Sequence, residues 1–289
     1  MVRVRSVFGL AVCCWATATL STASARAERE LGPVELVPMA SGRGAFVTFG
    51  YAFRKGDVRD SICMEREGQA VDVQVDSKRH HEDGSLKHAI ITAYLPAVSE
   101  GQTVALALEP AAPRPETEPV SGLPDGLEGR VVLDFPDGSQ TVADLRRTFA
   151  EAQAHPTMPY RFVTWLSGPL VTEYQVSGPP MYPDGRQDPD LWVTFGIRVY
   201  RGMDAARVEV VVENSWVDSP GNVPYKVRIL IDGNERYANE AVGHVDGDLP
   251  WWLKTADLGH SMRARWRKVF WWGRPLCSPQ ILVGVPGWL

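Results

Sequence analysis

The feature that most restricts what this chain can fold into is how much of it alternates. In "AVDVQVD" (70–76), Val71, Val73 and Val75 fall on one side, and Asp72, Gln74 and Asp76 on the other. A period of two marks a strand with one buried and one wet face. The segments "AFVTFGYAF" (45–53), "KHAIITAYL" (87–95) and "QTVALALE" (102–109) read the same way. So do "RFVTWLSG", "LVTEYQVSG", "LWVTFGIRVYRG", "ARVEVVVENSW" and "YKVRILIDGNERY"; in the fourth, Val208, Val210 and Val212 alternate with Arg207, Glu209 and Val211. Residues 141–152 are the best helix candidate in the body of the chain. A chain patterned like this builds antiparallel sheets that stack face to face. The expected fold class is all-β: a small N-terminal β-barrel, then an antiparallel β-sandwich, with a short helical C-terminal tail.

Composition divides the chain further. Arg3 and Arg5 precede an uncharged, mostly apolar run over 6–20, and small residues then lead to Ala25-Arg26-Ala27. That order predicts a signal peptide over 1–27 and an exported protein, periplasmic or extracellular. Later apolar runs fall short of the roughly 20 residues that a membrane span needs. Residues 28–110 form the expected barrel module. Residues 111–127, rich in Pro, Glu and Gly, read as a linker. The sandwich follows over 128–248 and a Trp/Arg-rich tail over 249–289. A net charge of −5 gives no basic face for nucleic acid. Beyond the predicted signal peptide only Cys63 and Cys277 remain. They have no zinc-type spacing; a disulfide between them is chemically open in an oxidising compartment but is not established by two cysteines so far apart in sequence. No cofactor or metal is expected.

Two stretches invite a functional reading. "HHEDGSLKHA" (80–89) holds three of the six histidines, an acidic pair, a serine and a lysine. That density suits a metal or acid–base site. Asp-Gly is also a common hairpin turn, beside which polar residues are solvated by default. Asp83, Gly84 and Ser85 are therefore read as a structural turn. The second stretch, 249–275, brings together Trp251, Trp252, Trp266, Trp271 and Trp272 with Lys254, Arg263, Arg265, Arg267, Lys268 and Arg274. Tryptophan faces stack on sugar rings and arginine pairs with uronate carboxylates. Trp251, Trp252, Arg265, Trp266, Lys268, Trp271 and Trp272 are the candidate ligand-binding residues. An amphipathic helix on an anionic membrane uses the same residue types, and so does simple packing against the sandwich. Arg161, Tyr174, His155, Arg198 and Tyr225 have the side chains a lyase needs to neutralise a carboxylate and move protons, but no spacing links them.

The residues also carry a family pattern. Phe49-Gly50, Phe53, Lys55-Gly56, Val73-Gln74-Val75, Asp83-Gly84-Ser85 and Lys87 resemble the N-terminal barrel of YetA-like proteins and rhamnogalacturonan exolyases. Histidines stand where that family carries aromatics around the turn. "SGPLVTEYQVSG" and the two following strands resemble the β-sandwich that comes next in the family. The resemblance covers about 44–109 and 165–216 and implies a carbohydrate-associated protein. In the lyases these modules precede a large helical toroid that carries the catalytic groups. The expectation is thus a module that is non-catalytic by itself and binds an acidic or rhamnose-containing polysaccharide. An active polysaccharide lyase or glycoside hydrolase, and a structural or assembly subunit, are the alternatives.

Overall fold

A computed structural model describes residues 31–38, 41–113, 117–203, 205–213, 223–244, 265–273 and 281–284. Within these, the chain is mostly antiparallel β-structure with one short helix, and it divides into two compact units. The predicted signal peptide over 1–27 lies outside the described residues.

The first unit is a half-barrel built on one seven-stranded sheet. Its strands are β1 (Pro33–Pro38), β2 (Gly42–Ala52), β3 (Ser61–Arg66), β4 (Gln69–His80), β5 (Leu86–Val98) and β6 (Val104–Ala111). The alternation seen in the sequence now has a cause. Val71 and Val73, with Ile91, Ala93 and Leu95 of β5 and Leu106 and Leu108 of β6, fill one core, while Asp72 is exposed. Strands β1 and β3 were not apparent in the sequence, because each is only six residues long. The β3–β4 hairpin turns on Glu67-Gly68, both at positive φ, as a two-residue type I′ turn requires.

The second unit is a sandwich of two sheets. One is ordered β15-β12-β11-β10-β9 and the other β14-β13-β7-β8. Its strands are β7 (Gly129–Asp134), β8 (Gln140–Asp144), β9 (Arg161–Ser167), β10 (Val171–Gly178), β11 (Trp192–Tyr200), β12 (Ala205–Glu213), β13 (Val223–Ile231), β14 (Asn234–His244) and β15 (Arg265–Gly273). Val193, Phe195 and Ile197 of β11 and Val208, Val210 and Val212 of β12 pack with Val131 and Leu133 of β7 and Val227, Ile229 and Ile231 of β13. Burial of two apolar faces is the main force holding the sheets together.

Three sequence expectations change here. The helix α1 spans Leu145–Ala154, so the first residues of the predicted 141–152 helix belong to β8. Asp144 sets the boundary: its Oδ1 accepts from the Arg147 amide at 3.0 Å, an N-cap that starts the helix after it. The segment read as a linker is docked in its second half. Leu127 is fully buried, the Val120 amide donates to the Gly168 carbonyl, and Arg146 donates to the carbonyls of Pro124, Asp125 and Leu127. The expected helical tail is corrected where it is described: residues 265–273 form β15, paired along its length with β12. Val, Phe and three Trp in nine residues favour strand over helix. A last strand, β16 (Ile281–Gly284), pairs with β1 in the first unit.

Candidate functional site

The histidine-rich stretch is a hairpin with its polar groups committed to the fold. The loop between β4 and β5 runs from His81 to Ser85. The Gly84 amide donates to the His81 carbonyl at 3.0 Å and the His81 amide donates to the Ser85 carbonyl at 2.8 Å. Gly84 has φ +82°, which suits glycine at the residue that closes such a loop. Asp83 Oδ1 accepts from the Ser85 amide at 3.1 Å and its hydroxyl at 2.6 Å. Ser85 Oγ in turn accepts from the Gly56 amide at 2.9 Å, tying the loop to the "FRKGD" segment. The three histidines do separate things. His80 Nε2 lies 3.2 Å from Ser77 Oγ, His81 Nε2 lies 3.1 Å from the Phe53 carbonyl, and the His88 ring covers Gly50. Among the described residues no three His, Cys, Asp or Glu side chains are grouped so that they could hold a metal ion.

The same loop chemistry occurs twice more, side by side, in the second unit. "FPDGS" (135–139) joins β7 to β8, and "YPDGR" (182–186) lies between β10 and β11. In each, the glycine amide donates to the aromatic residue's carbonyl at 3.0 Å, and the aspartate Oδ1 accepts from the amide two residues on, at 2.9 Å for Asp137 and 3.0 Å for Asp184. A bridge between Met181 and Val142 holds the two hairpins together. Their leading aromatics then meet: the Phe135 and Tyr182 rings lie 6.5 Å apart, and Phe135 meets Tyr225 of β13 edge-on at 6.4 Å. The Arg186 guanidinium sits 4.9 Å over the Tyr182 ring.

This aromatic row borders a cleft of about 590 Å³. Phe135, Pro136, Pro224, Tyr225, Ala241 and Val242 give it an apolar floor, and Asp134, Lys226 and Glu240 a charged rim. A β-bulge shapes it. Between Tyr225 and Val227 the register slips, so that Glu240 and Ala241 of β14 oppose Lys226 alone. Bulges bend a strand and re-aim its side chains; here Lys226 and Glu240 pair at 2.8 Å on the rim. Asp134 accepts from Arg228 at 3.2 Å and from Gln140 at 2.6 Å. Burial pushes the Tyr225 phenol well above its ordinary pKa, and burial, then Asp188, raises Tyr182. Both phenols stay protonated at neutral pH and act as hydrogen-bond groups rather than bases. Apolar faces with a few convergent polar groups are the usual composition of a small-molecule or sugar site.

Of the residues singled out in the sequence, Tyr225 lines this cleft, and the others that the structure describes fall elsewhere. Trp251 and Trp252 lie outside the described residues. Arg265, Trp266, Lys268, Trp271 and Trp272 lie on β15. Trp266, Lys268 and Trp272 share register with Val212, Val210 and Ala206, while Arg265 and Trp271 share register with Glu213 and Arg207. An interfacial helix has no basis over 265–273, because the backbone there is a strand. The lyase-type residues are dispersed too. The Tyr174 ring meets Phe149 and Phe162 and its hydroxyl accepts from the Gly122 amide, His155 caps α1, and Arg198 pairs with Glu173. Sequence reading missed Phe135 and Tyr182. The signal for them is the repeated aromatic-Pro-Asp-Gly at 135–138 and 182–185.

No family model matches the chain, so its likeness to YetA-like proteins rests on the quoted motifs alone; no curated protein matches it either. Among solved structures it is similar to a protein in the glycosyl hydrolase family 38 from Enterococcus faecalis, at 11% identity and a TM-score of 0.34, over 73% of this chain and 35% of that one. It is also similar to an alpha-mannosidase from Enterococcus faecalis V583, at 11% identity and a TM-score of 0.33, over 68% of this chain and 31% of that one. The chain spans about a third of the length of these two structures.

Proposed function

We propose that this chain is an exported carbohydrate-binding β module, non-catalytic by itself, that docks a polysaccharide through the Phe135–Tyr225 cleft. One observation carries the reading: an open cleft with an aromatic and proline floor and a rim of hydrogen-bonding side chains. Sugar rings present C–H faces to aromatics and hydroxyls to polar rims, so both halves of the cleft have a use. A 6-deoxy sugar such as rhamnose offers an extra methyl group to Pro136, Pro224 and Val242. Export is the part of the proposal that rests on the arginines, apolar run and small residues of the N-terminus.

The test is calorimetric titration of the purified chain with a panel of oligosaccharides. Binding is expected to weaken about ten-fold in Phe135→Ala, with circular dichroism unchanged, because a stacked aromatic contributes about 1 kcal/mol beyond its area. No binding across the panel, or binding that ignores Phe135→Ala, overturns the reading. Appearance of unsaturated product from pectin fragments moves the chain to the lyase class.

A further inference from the structure

The charges around the cleft carry a selectivity, and this inference rests on the glycan-binding role proposed for it. Among the described residues three cations stand there, and each is paired. Lys226 meets Glu240 at 2.8 Å, Arg228 meets Asp134 at 3.2 Å, and Arg186 Nε meets Asp184 at 2.7 Å. The carboxylates outnumber them. Asp137 and Asp188 are bonded to neutral donors only: Asp137 to the Ser139 amide and hydroxyl, Asp188 to the Asp190 and Leu191 amides and the Tyr182 hydroxyl. Asp188 and, more weakly, Asp137 act on the Tyr182 phenol against the opposing Arg186 guanidinium, and the Tyr182 ring neighbours Phe135 at the cleft. Surface charges within about 10 Å of one another remain effective at moderate salt.

We infer that the cleft takes a neutral sugar chain and rejects a uronate. Among the described residues, a sugar carboxylate entering beside Phe135 meets no cation that is not already paired with a carboxylate. It must give up water in a net negative field, and hydrogen bonds from phenols and already paired cations replace only part of its hydration. Neutral hydroxyls fare differently, since they donate to carboxylates and accept from phenols and the paired cations. The acidic polysaccharide expected from the Trp/Arg stretch is therefore not the ligand of this cleft.

Pairs of ligands that differ only in the carboxyl group test this. Oligomers of galacturonate, glucuronate and mannuronate, each with its carboxyl-reduced neutral counterpart, are titrated into the full chain. At low salt the neutral member of a pair is expected to bind at least ten-fold tighter, and added salt should narrow that ratio. Asp137→Asn keeps the Oδ1 acceptor that closes its hairpin and removes one charge; it should narrow the ratio about three-fold. A uronate that binds as tightly as its neutral counterpart overturns the inference, as does a ratio that neither salt nor Asp137→Asn changes. Failure of both members of every pair overturns the glycan-binding role itself.

Discussion

Three aspartates show how much a single side chain fixes here. Asp83, Asp137 and Asp184 each close a hairpin, and hydrogen bonds from Ser85, Ser139 and Arg186 respectively hold their carboxyls below the usual range. A depressed folded-state pKa gives stability that is present above the unfolded value, about 3.9, and lost as pH falls through the folded value. The melting temperature should therefore drop below about pH 4, and Asn at all three positions should flatten that acid limb in a calorimetric pH series. Asp188 behaves in the opposite sense. It is 6% exposed and desolvation raises its pKa, so its contribution is lost as pH rises through that value. The pair Glu173–Arg198 is the other residue-scale liability, with side chains only 12% and 16% exposed. Arg198→Ala leaves a buried carboxylate alone and should cost about 3 kcal/mol in denaturant unfolding. Pairing of this kind was not legible in the sequence, because Glu173 and Arg198 meet only through the β10–β11 register.

At the scale of elements, alternation made most of the strands legible: Val71 and Val73 are buried where period two puts them. It failed where residue type and context disagree. Thr141 to Asp144 precede a helix-rich run and look helical, yet they pair with β7, and Asp144 caps α1. The Arg and Lys of β15 gave the stretch an amphipathic look that its Trp, Phe and Val overrule. The cleft was illegible for a different reason. It depends on a bulge in β14, and nothing in "YANEAVGH" signals that Glu240 and Ala241 share one partner. Deleting Ala241 removes this bulge and leaves the one between Ile229 and Leu230 in place. That variant should keep its melting temperature within a few degrees and lose oligosaccharide binding, as read by thermal denaturation and titration. Gly138→Ala tests the neighbouring hairpin. Gly138 has φ +83° and open space for a Cβ, so the cost is conformational alone, about 1 kcal/mol.

At the scale of the whole molecule, the last described strands complete what the earlier ones begin. β15 closes one edge of the sandwich sheet and β16 one edge of the half-barrel sheet. Removing residues 265–289 should therefore weaken both units, exposing β12 and β1 as open edges. Hydrogen exchange is expected to show lost amide protection in Val208–Val212 and Val34–Leu36, and limited proteolysis faster cleavage of both units. Localised loss in only one unit would contradict the pairing. The return of β16 to β1 also bears on timing. Strand pairs that join distant parts of a chain form late, since a long loop must close first. Here the partner of Glu35 is Gly284, so the half-barrel sheet is not whole until Gly284 has been synthesised. A polypeptide built this way cannot finish its first module during synthesis of its second, so folding of that sheet is completed only after the sandwich strands have been made.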